Sequence, residues 1–516
     1  MPLNSRSLGK VVIDFYLGEA ISSVYLVVNQ ADFNFALEEF GCFGDAVAIL
    51  SVVDSESVVD TLEQVLPKVS EQDVIINIVT TIPKIIIPEK NCIGLNEEVT
   101  GIEGWAGVLL NGDEMSFITK KDNKDGQGYS FSGIFRADKT DILKAATSLR
   151  GEDRRDLISV VSKIHEHKKM TKVHFSWSDC GHVQNYYKTR QRIIGSRFFN
   201  SISLDPSKGV LTKTSSNVAK LSLETRYVQT LPVELSVYFP RIFEFKEDDQ
   251  TAKVTMEYYA YPTLAEIMLY WDLPKSVWKD IFFILGKTLS SFERFKGDFH
   301  KLDWQEIYVQ KVKTRVATYL DSLDDDLKQA LLSGDHISIN GENQVGWKQL
   351  SNHLDEVLSL LERSSDCTIV HGDFCCNNIL CEPYSGLIKL IDARGSFGDA
   401  HIGIYGDRKY DWAKLGHSIF GKYDYIVNDL FTVDCENLKF ELHTFDRPWQ
   451  LDLEEMYWAE LDKAQIDRGV IQFIVGSLFI SMPPLHSDNT DRQLAFFLRG
   501  IEFLNAGLKK MEKLQS

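Results

Sequence analysis

The sequence predicts two folded parts: an α/β domain with a largely parallel sheet over residues 1–192, then a two-lobed α+β domain. Three observations predict it. A chain of 516 residues is longer than one hydrophobic core supports. Between residue 10 and about 150, short β-rich runs alternate with helical patterns, which is how a layered α/β sheet reads. After Ser196 the pattern changes to hairpin, helix and strands, and from Tyr261 amphipathic helices dominate. The second part therefore divides into a small lobe, 193–260, and a mainly helical large lobe, 261–516.

In the first domain, runs 11–15, 24–29, 46–53 and 74–79 read as buried strands. Between the last two, Val58, Val59, Leu62, Val65 and Leu66 fall at helical spacing. Segments 104–118 and 129–135 read as further strands, separated by a polar turn over 120–127. In the small lobe, 197–204 and 209–214 flank Asp205-Pro206-Ser207-Lys208-Gly209, a hairpin signal. A helix over 217–230 follows, with Asn217 as its cap, and then strands over 241–245 and 252–259. The large lobe interrupts its helices with apolar runs near 367–370 and 387–391. No internal repeat or low-complexity tract appears.

The net charge of −18 argues against nucleic acid as the main partner, although it says nothing about one cleft. The N-terminus shows no secretory h-region, and the apolar stretch 470–485 is too short and interrupted to span a bilayer. It reads as a buried core helix. Eight cysteines without paired CxxC spacing fit reduced thiols of a cytoplasmic protein better than a metal site. The oligomeric state is left open.

One segment carries chemistry. An apolar run ends in His371-Gly372-Asp373, Asn378 stands five residues past the aspartate, and a short β-run delivers Asp392. Phosphoryl transfer needs one carboxylate at the acceptor hydroxyl, plus an amide oxygen and a second carboxylate to hold Mg²⁺ against the phosphates. Asp373 suits the first role, Asn378 and Asp392 the second. These residues resemble the signature of the aminoglycoside phosphotransferase and choline kinase family, H-G-D-x-x-x-x-N followed by a strand ending in I-D. Tyr410-Asp411-Trp412-Ala413-Lys414-Leu415 resembles that family's D-L-A helix.

The resemblance implies a protein-kinase-like fold for the second domain, with ATP and Mg²⁺ as cofactors. It implies a lysine–glutamate pair from the small lobe, for which Lys213 and Glu224 stand in place. Lys220 competes for the lysine role but reads as an exposed partner of Glu224, four residues on. Glu257 and Tyr258 fall where a hinge would present backbone groups to adenine. For the acceptor, His486 and Asp488 are candidates, with Asp488 or Asn489 alternatively a helix cap. Tyr308, Lys311 and Arg315 read as a solvated helix face, and Trp412 and Tyr423 are aromatics available to an amine cage.

The first domain resembles the sugar nucleotidyltransferases. Glu71 to Asn77 matches the strand before their G-D-T metal site, residues 128–135 their later G-x-Y strand, and Trp177-Ser178-Asp179-Cys180-Gly181 with Tyr186 their W-x-D-x-G…Y element. The sequence departs from them by lacking the glycine-rich nucleotide loop and by placing Val79-Thr80-Thr81 at G-D-T. Asp179 alone holds Mg²⁺ poorly, so a binding or scaffolding role is expected, with Asp179 and His182 able to touch a sugar or nucleotide. The expected activity is phosphorylation of a hydroxyl on a sugar, polyol or amino alcohol. By family analogy it serves bacterial surface-polysaccharide (capsule) synthesis. The alternatives are a bifunctional kinase and nucleotidyltransferase, and a non-catalytic nucleotide-binding scaffold.

Overall fold

The computed structural model describes residues 2–3, 6–19, 21, 23–97, 105–112, 114–181, 185–186, 189, 200–205, 207–298, 304–332, 335–362, 366–397, 401–436 and 439–515. The chain is a mixed α/β structure of several sheets and forms two compact units, Leu3–Ile193 and Ile194–Ser516 (Pro2 grouping with the second).

The first unit opens with a helix, α1 (Leu8–Gly18), where a strand over 11–15 was expected. The β-branched run Val11-Val12-Ile13 looks like a strand in isolation. Burial of Leu8, Val12, Ile13 and Tyr16 shows the period that prevails, and the Ser7 side chain caps the helix at the Lys10 amide. Strand β1 (Val24–Asn29) pairs in parallel with β2 (Val47–Val52) across helix α2 (Phe33–Phe40). Helix α3 (Val58–Val65), capped by Ser57, leads to β3 (Asp73–Asn77).

The remaining strands are β4 (Cys92–Leu95), β5 (Gly107–Asn111), β6 (Glu114–Ile118) and β7 (Tyr129–Asp138). Helices α4 (Lys139–Ser148) and α5 (Leu157–His167) then precede β8 (Thr171–His174). The main sheet runs β8-β4-β7-β5-β6, with β3 also on β7. Strand β7 is antiparallel to β3, β4 and β5, and only β4–β8 is parallel. The largely parallel sheet of the expectation is therefore corrected to a mainly antiparallel one. Helix–strand alternation stops at β3, and strands joined by short links such as β5–β6 cannot make the crossover that parallel pairing needs.

In the second unit, β9 (Asn200–Asp205), β10 (Val210–Ser215), helix α6 (Val218–Thr230), β11 (Ile242–Glu247) and β12 (Ala252–Glu257) follow in order. The sheet order is β9-β10-β12-β11, antiparallel throughout, and the Asn217 side chain caps α6 at the Lys220 amide. Residues 197–199 of the expected first strand lie outside the described residues.

Beyond it lie α7 (Leu264–Tyr270), α8 (Lys275–Phe292), α9 (Lys311–Asp321), β13 (His336–Ile339), β14 (Glu342–Val345) and α10 (Trp347–Leu361). Short strands β15 (Cys367–Ile369), β16 (Ile379–Glu382), β17 (Leu387–Leu390) and β18 (Tyr405–Asp407) frame the motif segment and lead into α11 (Arg408–Ile419). Strands β19 (Phe431–Glu436) and β20 (Lys439–Thr444) complete a sheet β14-β13-β20-β19 that was not expected. Helices α12 (Gln450–Lys463), α13 (Arg468–Ile480) and α14 (Thr490–Gln515) close the chain.

The apolar stretch 470–485 supplies α13, which is buried along ten of its residues. Among the described residues no helix is long and apolar enough to cross a membrane. Cys92, Cys180, Cys367, Cys375, Cys376 and Cys381 are free and buried, Cys435 is free and exposed, and burial pushes the Cys375 and Cys376 thiols up.

Candidate active site

The motif segment is a loop held between two strand pairs. β15 pairs with β18 before it, and β16 with β17 after it. Gly372 takes φ 80°, a left-handed conformation that glycine adopts without strain. Asp411 on α11 accepts the backbone N–H groups of His371 at 2.6 Å and Gly372 at 2.8 Å, fixing the turn from behind. Asn378 donates through Nδ2 to the Asp373 carbonyl at 2.9 Å, and the Ile391 amide donates to the Asn378 carbonyl at 3.0 Å. Asp373, Asn378 and the residue before Asp392 are thus linked through one short hydrogen-bonded path.

Two cations bear on Asp373. Lys414 Nζ lies 2.9 Å from Oδ1, and Arg394 Nη2 lies 3.9 Å from Oδ2. Burial works to raise the Asp373 carboxyl, but Lys414 and Arg394 outweigh it and hold the group well below the usual carboxylate range. His371, fully buried and stacked on Phe239 at 5.9 Å, is lowered to about 4 by burial against the pull of Asp373 and Asp392. It therefore stays neutral, and its Nδ1 accepts the Asp373 amide at 3.2 Å.

The small-lobe pair arrives at the same place. Lys213 on β10 bonds Glu224 Oε2 on α6 at 2.8 Å and Asp392 Oδ1 at 3.0 Å, the latter across 179 residues of sequence. Its side chain is 12% exposed, against 59% for Lys220, which stands 3.8 Å from Glu224 Oε1. The buried strand lysine, not the helix lysine, makes the bridge. Asp392 sits at φ 56°, a strained setting that aspartate tolerates better than most residues. Tyr227 on α6 also donates to the Val370 carbonyl at 2.9 Å, tying that helix to the loop.

Glu257 ends β12 and Tyr258 follows it, and their backbone N–H groups bond the Arg241 and Gly209 carbonyls at 2.9 and 2.8 Å. Those two donors belong to the sheet. An adenine edge at this strand end would take its donor from beyond Tyr258. The Glu257 carboxylate accepts the Tyr259 hydroxyl at 2.7 Å.

The acceptor candidates fare differently. Asp488 is exposed and pairs with Arg492 at 3.0 Å, while Asn489 caps α14 by accepting the Arg492 amide at 2.9 Å. His486 packs on Phe496 with ring centroids 4.8 Å apart. Trp412 is buried and donates to Glu293 at 3.0 Å, and Tyr423 stacks on Phe496, so the two do not form an amine cage. Tyr308 is no solvated residue either: it is 2% exposed and donates to Asp407 at 2.7 Å. Lys311 and Arg315 are half-buried beside Tyr410, with Lys311 Nζ 6.0 Å from the ring centroid. Lys414, Arg394 and Asp411 went unassigned in the sequence reading. Only their place in or near the quoted motif segments pointed to them.

In the first unit, Thr80, Thr81 and Asp179 line one cleft with a volume of about 860 Å³. The Asp179 carboxylate accepts from the Gly181 amide at 3.0 Å and the Asn185 side chain at 2.8 Å, which closes a turn. His182 lies outside the described residues. Among the described residues no group of three His, Cys, Asp or Glu side chains is placed to hold a metal.

No protein-family model matches this chain. No curated protein matches it either. Among solved structures it is similar to a thermostable mutant of aminoglycoside phosphotransferase APH(4)-Ia in ternary complex with AMP-PNP and hygromycin B, at 12% identity and TM-score 0.40, covering 61% of this chain and 92% of that one. Aminoglycoside-3'-phosphotransferase of type VIII matches at 17% identity and TM-score 0.28, over 57% and 84% of the two chains. UDP-glucose pyrophosphorylase complexed with UDP-glucose matches at 9% identity and TM-score 0.30, over 37% and 88%. Likenesses of this size decide neither fold nor substrate, so function has to be read from the side chains.

Proposed function

We propose that the second unit is an ATP-dependent phosphotransferase acting on a hydroxyl of a small molecule, with 193–260 as its small lobe and 261–516 as its large lobe. One observation carries this reading: Lys213 bridges Glu224 and Asp392, joining strand, helix and motif loop in a single charge network. A lysine held by a glutamate is the arrangement that offers an ammonium to nucleotide phosphates, and its Asp392 contact is the one phosphate oxygens would replace.

Asn378 and Asp392 fit Mg²⁺. Asn378 uses its side-chain nitrogen on the Asp373 carbonyl, so its side-chain oxygen is the atom that would face a cation, and the 44%-exposed Asp392 side chain would supply a carboxylate oxygen. Hard oxygen donors few in number suit an ion that keeps several waters and phosphate oxygens. Such an ion would neutralise charge on the transferring phosphoryl group. Asp373 orients the acceptor hydroxyl and takes its proton. Because Lys414 and Arg394 hold its carboxyl low, it is a weak base, which suits a loose transition state in which bond breaking leads.

The first unit is proposed as a nucleotidyltransferase-like domain over 1–192 without nucleotidyl transfer of its own. The observation behind this is that the Asp179 carboxylate is engaged in its own turn by the Gly181 amide and the Asn185 side chain, and that its strand partner is Thr81, where the resemblance would place the first metal carboxylate. Service in surface-polysaccharide synthesis is part of the same proposal. The test is Asp373→Asn in the full chain, scored by ATP turnover across neutral, amino and acidic hydroxyl compounds. Removing the orienting carboxylate should lower kcat by roughly 10²-fold or more while ATP still binds. Unchanged kcat would sink the assignment.

A further inference from the structure

Four cations gather around Asp373 and the neighbouring Tyr410. Lys414 and Arg394 pair with the carboxylate at 2.9 and 3.9 Å, and the Arg394 charge also bears on the Tyr410 hydroxyl. Lys311 stands over the Tyr410 ring, and Arg315 follows Lys311 by four residues on α9, hence on the same helix face. Asp373 is the one carboxylate within ion-pair distance of any of the four among the described residues.

Such a group is unfavourable by itself. Like charges in a partly desolvated place repel more than in water, and a protein keeps them together where a ligand supplies the missing charge. The neighbours register the excess. Burial would push the Tyr410 hydroxyl up, yet Lys311, Arg394 and Lys414 together draw it down to about 7. Tyr410 offsets the loss of Lys311 basicity only in part, since burial and Arg394, Arg315 and Lys414 depress it. All of this lies in a protein of net charge −18.

Resting on the phosphotransferase reading above, we infer that the acceptor carries an oxyanion, a carboxylate or a phosphate, which Lys311 and Arg315 bind while Asp373 addresses a hydroxyl of the same molecule. The substrate class is then an acidic or already phosphorylated sugar or polyol, not an amino alcohol. Lys414 and Arg394 stay with Asp373, so the binding duty falls on Lys311 and Arg315, which have no carboxylate within ion-pair distance among the described residues. The transfer itself is balanced: the acceptor O–H gives its proton to Asp373, an acceptor O–P bond forms, and the bond from the γ-phosphorus to the bridging oxygen of ATP breaks to leave ADP.

The test uses the full chain at fixed ionic strength with four probes on one carbon skeleton: glucose, glucosamine, gluconate and glucose 6-phosphate. Inorganic sulfate serves as a probe independent of skeleton. Calorimetry should show sulfate and the two anionic compounds binding, with gluconate and glucose 6-phosphate separating carboxylate from phosphate recognition. Arg315→Gln and Lys311→Met should each weaken that binding by about tenfold or more and leave AMP-PNP affinity unchanged. Absence of sulfate binding, preference for glucosamine, or competition between sulfate and AMP-PNP would each overturn the inference. The last would assign the cations to the nucleotide. Anion binding without phosphorylation of any compound would leave this site standing and remove the phosphotransferase reading instead.

Discussion

At the scale of single residues, the site depends on what burial does to charge. His371 is the clearest case, because its ring is fully buried, stacked on Phe239, and lowered to about 4 from an ordinary value near 6.5. The folded state thus holds a neutral imidazole where the unfolded chain would protonate. Its contribution to stability is complete above pH 6.5 and is lost as pH falls from there towards 4. A shift of this size corresponds to something on the order of 3 kcal/mol. We expect His371→Asn, which keeps an acceptor for the Asp373 amide, to flatten the fall in stability between pH 6.5 and 4.5 relative to the parent. Denaturant melts across that range measure it, and parallel slopes for both proteins would show that other groups carry the acid sensitivity. Burial also pushes Asp411 up to about 7, and what makes it a positioning group is that both its oxygens accept backbone N–H groups, those of His371 and Gly372.

At the scale of elements, close helix contact is bought with glycine. Gly476 on α13 and Gly500 and Gly507 on α14 leave no room for a side chain: an added Cβ would lie 2.5 Å from the Leu504 amide nitrogen, 2.6 Å from Ile480 Cβ and 2.6 Å from the Phe473 amide nitrogen. The seven-residue spacing of 500 and 507 puts both on one face of α14. We expect Gly507→Ala to destabilise the second unit by about 1–3 kcal/mol, because backbone, not a movable side chain, must give way. A midpoint shift in urea checks this, and an alanine variant as stable as the parent would mean that the helices separate at no cost.

Elements also show where the sequence was legible. The hairpin, helix and strands of the small lobe follow from local signals: turn residues at 205–209, the Asn217 cap, and period-two runs. Strand β1 and helix α13 are long apolar patterns and read equally well. Pairing direction was not legible, because the partners of β7 come from residues 73–77, 92–95 and 107–111, and nothing local chooses among them. At the site, Asp373, Asn378 and Asp392 stand out by spacing. Lys414 and Arg394 act through folding that brings α11 and the segment after β17 onto one carboxylate, and no spacing rule contains that.

At the scale of the whole molecule, two units and one proposed nucleotide site make different demands on stability. Among the described residues the main apolar cluster of the second unit runs from Tyr227 to Met511, a smaller one joins Leu221 to Ala252 and Val254, and the clusters of the first unit draw on residues between Ile13 and Trp177. Among the described residues, each of these clusters lies within one unit. Calorimetry should accordingly resolve two unfolding transitions, since cooperativity follows shared packing. A ligand that binds only folded second unit raises only that transition, by about 2.7 kcal/mol at one hundred times its dissociation constant. AMP-PNP with Mg²⁺ should therefore move one transition and leave the other in place. Asp392→Asn should abolish most of that shift, because it removes both the proposed metal carboxylate and the counter-charge that holds Lys213. If both transitions moved together, nucleotide binding would belong to the chain as a whole, and the assignment of the site to residues 194–516 would have to be given up.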